Sequence, residues 1–339
     1  MIIGLEVSAM RRREFIMLLG GAAAAWPLAA HAQQQERMRR IGVLMGFAEN
    51  DPAAQSWLAA FRDALTKLGW KEAGNLQIEV RWAAGDPDRI GTLAKELVDL
   101  RPEAIFAQTT PVMSTLARET PTIPVVFAYV ADPIGFGFAT SFAHPGGNIT
   151  GFTFVDSTMG SKWLELLKEI APGTGRAALL FNPATAPQFK FFMPSIQKAA
   201  VSHAVETIVA PVHAQDEIEG IIAAQARNPG GALIVMPDVF TDTNRQLIIA
   251  LTARYGVPAI YPRPVFAQSG GLIAYGVDLT EQFRQAAGYI DRILKGERPG
   301  DLPIQQPTKF QLVINLKTAK ALGLTVPLIM QMTADEVIE

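Results

Sequence analysis

From Arg40 onward the chain repeats one pattern: a short apolar run, a polar turn, then a longer stretch with apolar residues every three or four positions. Residues 41–45 read as a buried strand, and 53–68 carries Trp57, Leu58, Phe61, Leu65 and Leu68 at helical spacing before Gly69 stops it. The unit recurs with strands at 76–82, 104–107 and 125–129 and helices at 87–100 and from about 111. It restarts at 177–181 and continues through strands at 206–209, 232–236 and 258–261, with helices at 188–203, 218–227 and 245–255. Strands alternating with helices predict parallel, doubly wound sheets.

Matching elements fall at near-constant distances. Position 41 corresponds to 177, 105 to 233 and 125 to 259, offsets of 136, 128 and 134. Such a repeat predicts two similar α/β lobes rather than one ten-stranded sheet. A tail with a helix at 280–295, a strand at 310–316 and a short helix at 317–322 belongs to neither unit. It is expected to cross back between the lobes or to cap one of them.

Residues 1–32 read as an address. Arg11-Arg12-Arg13-Glu14-Phe15-Ile16 precede an apolar Ala/Gly-rich run from Met17 to Ala30, and Ala30-His31-Ala32 supplies small residues at the two positions a signal peptidase reads. The run is too short to span a bilayer, which takes about 20 residues. Arg12-Arg13 followed by Glu14-Phe15-Ile16 fits a twin-arginine export signal, so the expectation is cleavage near Ala32 and a periplasmic protein with no membrane span.

Composition narrows the chemistry. Of 339 residues 49% are hydrophobic and 18% charged, which suits two buried cores. Thirty Lys and Arg against 32 Asp and Glu leave a formal charge of −2; taking three Arg and two Glu away with residues 1–32 moves it only to −3. No field exists to recruit nucleic acid. The absence of cysteine removes disulfides, thiolate metal sites and cysteine nucleophiles. His144, His203 and His213 show no metal-ligand spacing, and Gly135-Phe136-Gly137 and Gly146-Gly147-Asn148 form no nucleotide-binding loop. No metal, no cofactor and no catalytic set is expected.

In open α/β sheets a ligand sits beyond the carboxyl ends of the strands. That rule nominates Phe47, Thr109, Thr110, Asp132, Asn182, Asp238, Tyr261 and Tyr275, within wider strand-end stretches that include Gln108, Tyr129 and Arg263. Thr110 before Pro111 is expected to cap a helix whose first-turn N–H groups face a carboxylate. Asp132 and Asp238 are expected in exposed turns, where a carboxylate meets an ammonium group or hydroxyl. Together these residues suit a small polar or amphipathic molecule held between two lobes.

Residues 38–339 resemble the exported solute-binding proteins of ABC transporters, in the group similar to the tryptophan/tyrosine-type binding proteins. The likeness is carried by Arg40-Ile41-Gly42-Val43-Leu44, Phe61-Arg62 to Leu68-Gly69-Trp70, Ala131-Asp132-Pro133-Ile134, Pro145-Gly146-Gly147-Asn148-Ile149-Thr150-Gly151, Trp163-Leu164-Glu165-Leu166-Leu167-Lys168, Tyr275-Gly276-Val277-Asp278, and Ile293-Leu294-Lys295-Gly296-Glu297 to Leu302-Pro303. The resemblance implies a type I periplasmic-binding fold with three crossovers, with 38–155 plus 278–300 as lobe one and 156–277 plus 301–339 as lobe two. It implies a non-enzymatic, monomeric receptor that closes on an amino-acid-like solute or small carboxylate and delivers it to an ABC permease in the inner membrane. The competing expectation is a solute-sensing module that signals to a partner protein.

Overall fold

The computed structural model describes residues 38–156 and 158–339, and the leader read at 1–32 lies outside them. The described residues form two separate sheets. The first contains β1 (Arg39–Met45), β2 (Leu76–Trp82), β3 (Ala104–Gln108), β4 (Val125–Val130) and β5 (Ile149–Thr153) in the order β2-β1-β3-β4-β5, all parallel. The second contains β6 (Arg176–Phe181), β7 (Glu206–Pro211), β8 (Gly231–Val235), β9 (Ala259–Tyr261), β10 (Ile273–Gly276), β11 (Gln311–Asn315) and β12 (Glu336–Ile338). Its order is β12-β11-β10-β9-β8-β6-β7, and only β10 and β11 run antiparallel. The expected α/β class with two doubly wound lobes is the architecture that forms.

Alternation along each strand explains the layers. In the first sheet Ile41, Val43, Met45, Phe106 and Val126 face one side, while Leu44, Ile105, Ala107, Val125 and Phe127 face the other. Helices Pro52–Lys67 and Leu279–Leu294 cover the first side; Pro87–Asp99 and Thr110–Glu119 cover the second. Burial on both faces is why these strands read as unbroken apolar runs. The helices start where the chain supplies caps: Asp51 accepts from the Ala54 N–H at 2.9 Å and Asp278 from the Thr280 N–H at 2.8 Å.

Strands β5 and β10 and helix Met159–Ile170 did not stand out in the sequence. β5 is short and centred on Gly151, where φ is +151° and a Cβ would lie 2.2 Å from the Phe127 carbonyl oxygen. A strand that needs glycine at its centre carries no continuous apolar signal.

The chain passes between the sheets by crossing connections. Helix Met159–Ile170 follows β5 but packs against helix Phe189–His203 and β9 of the second sheet. Helix Leu279–Leu294 follows β10 but returns to the first sheet, where Phe283 meets Phe106 edge-on at 4.9 Å and Asp291 accepts from Trp70 Nε1 at 2.9 Å. The tail then runs beside β5, the Thr150 hydroxyl donating to the Leu302 carbonyl at 2.6 Å and the Gln305 N–H to the Gly151 carbonyl at 2.9 Å, before it enters β11.

Candidate functional site

The carboxyl ends of β3 and β4 carry unusual backbone. Thr109 has φ 84° and ψ 152°, a region otherwise left to glycine, and Tyr129 and Asp132 have φ of 58° and 44°. Each such residue costs about 1–3 kcal/mol and persists only where its surroundings over-determine it, which happens most at binding sites. Gly46 shows the constraint: a Cβ there would lie 2.7 Å from both Thr109 Cγ2 and Thr109 Oγ1, and the Gly46 N–H donates to Gln108 Oε1 at 3.1 Å. Glycine at the end of β1 therefore lets Thr109 sit where it does.

Thr110 does not cap its helix. It is the first residue of Thr110–Glu119, and its hydroxyl accepts from the Ala131 N–H at 3.2 Å, tying β3's end to β4's. Thr109 occupies the cap position without a side-chain cap bond, and its buried Oγ1 has no partner. Asp132 is engaged in its own turn, Oδ1 accepting from the Gly135 N–H at 2.8 Å.

In the second lobe Asp238 is 1% exposed and is no surface turn residue. Its carboxylate accepts from the Asn182 N–H at 2.7 Å, the Phe240 N–H at 3.0 Å and the Thr185 hydroxyl. Burial raises its pKa to about 6, against those three hydrogen bonds. Asn182 serves the same loop, its side chain accepting from the Ala184 N–H at 2.9 Å. Tyr261 is buried on the other face of the second sheet, stacked on Phe266 and bonded through its hydroxyl to Thr252. Half-buried Tyr275 stacks on Phe310 beside Asp156.

What the fold brings together is a seam between the lobes. From the first lobe come Phe47, Trp57 and Tyr129: Phe47 lies edge-on to Trp57 at 5.4 Å and 6.3 Å from Tyr129, which packs on Phe154 at 4.3 Å. From the second comes the Arg263 guanidinium, 4.9 Å from the Trp57 ring centre and 5.7 Å from that of Phe47. Arg263 donates through Nε and Nη2 to Asp242 Oδ1 at 2.9 and 2.6 Å. Arg245 stands 3.6 Å from the Asp51 carboxylate across the seam and donates to the Asp242 carbonyl. A Cβ on Gly85, where φ is +73°, would lie 3.2 Å from Val239 of the facing lobe.

Several buried polar atoms at these strand ends have no partner: Gln108 Nε2, Thr109 Oγ1, Tyr129 Oη, Gln188 Oε1, Asp242 Oδ2 and Arg245 Nε. An orphaned buried group costs about 1–3 kcal/mol, so a cluster of them marks a place where another molecule completes the bonding. The sequence nominated none of Asp242, Arg245, Gln188 and Trp57 for the site, and Trp57, Gln188 and Arg245 entered only as helix positions. The available signal was Asp242 one helical turn after Asp238, with Arg245 three residues further on. Among the described residues no group of three or more His, Asp or Glu is placed to hold a metal ion, and no helix is long and apolar enough to cross a membrane.

Comparison with known proteins agrees with this architecture. A tyrosine-binding protein of Clostridioides difficile (strain R20291) is 23% identical over 291 residues, 85% of this chain and 82% of that protein. A conserved domain protein from Vibrio cholerae superposes with a TM-score of 0.82 at 25% identity, over 89% of this chain and 100% of that one. An ABC domain from Streptococcus pneumonia in complex with L-Trp gives 0.80 at 24% identity, over 89% and 100%. Residues 42–338, nearly everything from β1 to β12, match the family described as ABC transporter substrate binding protein, and it is to that family, in its type I two-lobed form, that this chain belongs.

Proposed function

We propose that this chain is an extracytoplasmic receptor that captures a small amphipathic, amino-acid-like solute between its lobes and presents it to an ABC permease. The observation that carries the reading is the set of unpartnered buried atoms, Thr109 Oγ1, Tyr129 Oη and Asp242 Oδ2 among them, beside the aromatic wall of Phe47 and Trp57. A solute with an apolar body and polar ends satisfies both. Two relatives, described as a tyrosine-binding protein and as an L-Trp complex, support that class.

In this reading the protein is a monomer without catalytic activity. Thr109 and Thr110 offer the start of helix Thr110–Glu119 to a carboxylate, and Phe47 lines the apolar side. Lobe one takes 38–155 plus 278–305 and lobe two 156–277 plus 306–339, the third crossing drawn after Gln305 because that residue still bonds to β5. Residues 1–32 direct export and are removed after Ala32. Sequencing the amino terminus of periplasmic material tests this, and a chain that keeps Arg12 overturns it.

Native mass spectrometry of protein purified from its own host should show a retained solute. A thermal-shift screen of amino acids should then give a few strong hits, since binding to the folded form alone adds about 2.7 kcal/mol at a hundredfold excess over Kd. Turnover of any hit would overturn the receptor reading.

A further inference from the structure

Tyr129 is the extra residue of a bulge. The pairing of β4 with β5 shifts between Ala128 and Val130, which leaves the Tyr129 N–H no place in the ladder. The acceptor it finds is Gln282 Oε1 at 3.3 Å, on the first turn of helix Leu279–Leu294. The same amide donates through Nε2 to the Thr153 carbonyl at 2.7 Å. Gln282 is only 6% exposed, so both bonds form away from water, and both backbone groups would be costly to leave unmet.

Thr153 is also where the crossings meet. It ends β5 and leads into the first; Gln282 opens the helix that the second delivers; the third leaves from Gln305, whose carbonyl accepts from the Thr153 N–H at 2.9 Å. A matching tie lies in the second lobe. There Trp163 Nε1 donates to the Tyr275 carbonyl at 2.9 Å, and Tyr275 pairs with Leu312 across β10 and β11. Each crossing is thus pinned twice, once in each lobe.

The stretch between the pins is held far more loosely. Among the described residues, the third crossing makes no backbone–backbone hydrogen bond from Gln306 to Phe310. It runs along an open cavity lined by Thr153, Asp278, Gln282 and Lys309, which gives the crossings room to turn.

We infer that Gln282 is a positioning residue for closure: it fixes the Tyr129 bulge at the seam to the lobe-one pin of the hinge, so that the backbone presenting Tyr129 and the roots of the three crossings turn as one body. The bend is then confined to the stretch between the pins. The inference rests on the proposed capture of a solute by closing lobes and names the side chain that makes closure a single motion.

The chain has no cysteine, so spin labels on introduced cysteines report only on the chosen sites. Labels at Lys95 and Asp216, exposed in lobes one and two, follow closure, and labels at Lys95 and Thr66, both in lobe one, serve as control. In the mature protein without added solute, pulsed electron resonance should give a cross-lobe distance distribution at least twice as broad in Gln282→Met as in the unaltered protein. The control pair should not change. Gln282→Glu is the second variant: a protonated carboxyl accepts from Tyr129 and donates to Thr153 as the amide does, whereas a carboxylate cannot donate. Burial raises a carboxyl's pKa, so this variant should be broad at pH 8 and narrow to the unaltered width at pH 5, a rescue that simple loss of packing would not produce. Asp278 and Glu281 on the same helix and Lys309 across the cavity are the charged groups that share this setting, and the unaltered protein measured at both pH values carries them all. An unchanged width in Gln282→Met overturns the inference. Where that variant fails to fold, so does a Gln282→Glu distribution that is the same at both pH values. A millimolar mixture of the twenty L-amino acids should shorten the cross-lobe distance of the unaltered protein; no shift overturns the amino-acid-like solute, while the solute-free comparison still decides the role of Gln282.

Discussion

Replacing Asp238 with alanine tests whether this residue holds the second lobe together or merely decorates its surface. Removing the carboxylate leaves the Asn182 and Phe240 N–H groups buried without an acceptor, while the Thr185 hydroxyl is free to rotate. Two orphaned backbone donors cost about 1–3 kcal/mol each. Against this, a carboxyl held at about 6 rather than near 3.9 carries about 3 kcal/mol of unfavourable charge burial at neutral pH, which departs with the side chain. The net expectation at pH 7 is a near-cancellation, between a gain of about 1 and a loss of about 3 kcal/mol.

Acid should widen the gap. The folded-state pKa is raised, so the folded form binds the proton more tightly, and the penalty present above pH 6 fades as pH falls towards 4. Only the unaltered protein recovers it, by about 2 kcal/mol between pH 7 and 4.5. Urea unfolding followed by far-UV circular dichroism at both pH values should therefore show a deficit for the variant that is about 2 kcal/mol larger at pH 4.5 than at pH 7, reaching about 1–5 kcal/mol. A deficit below about 0.5 kcal/mol at pH 4.5, the size expected of an exposed turn residue, or a gap that narrows on acidification, refutes the argument.

Gly85→Leu should obstruct Val239 at the seam and weaken solute binding tenfold or more by calorimetry. Stability should fall by only about 1–2 kcal/mol, the cost of a side chain at positive φ; equal affinity would mean the lobes do not meet there. Arg263→Met should destabilise by about 3–5 kcal/mol in urea unfolding, since it strands Asp242 in the interior. Asp291→Ala, which removes the acceptor of Trp70 Nε1 and a partner of Lys295, should cost about 1–3 kcal/mol and shift Trp fluorescence, with solute affinity unchanged. Lys at Arg12 and Arg13 should hold the precursor in the cytoplasm, as cell fractionation would show.

The alternation of strand and helix was legible because β1, β3, β4, β6 and β8 are buried on both faces and read as apolar runs. Of the residues the strand-end rule nominated, Phe47 packs at the seam, whereas Tyr261 is buried on the other face of its sheet. Residues alternate across a strand, so Ile260 faces one core and Tyr261 the other, and a residue near the carboxyl end has an even chance of pointing away from the seam. Asp238 and Asn182 were located correctly at strand ends, yet their hydrogen-bond partners come from backbone groups that no pattern of side chains displays. Asp242 and Arg263 lie 21 residues apart and become a pair only through the ordering of β8 and β9.

Helix Leu279–Leu294 also sets an order of events during synthesis. Its buried face, including Phe283, Ala286 and Ile290, supplies one wall of a core whose other wall is complete by the end of β5. Until the chain has been made through residue 294, Phe106 and Trp57 lack the cover that Phe283 adds to that of helix Pro52–Lys67, and the first lobe must wait for the second to be threaded before its interior closes. A nascent chain halted at residue 277 should thus expose that apolar sheet face and bind a hydrophobic dye, and the same wait makes this a slow, non-local folder that stays receptive to chaperones while it is being made.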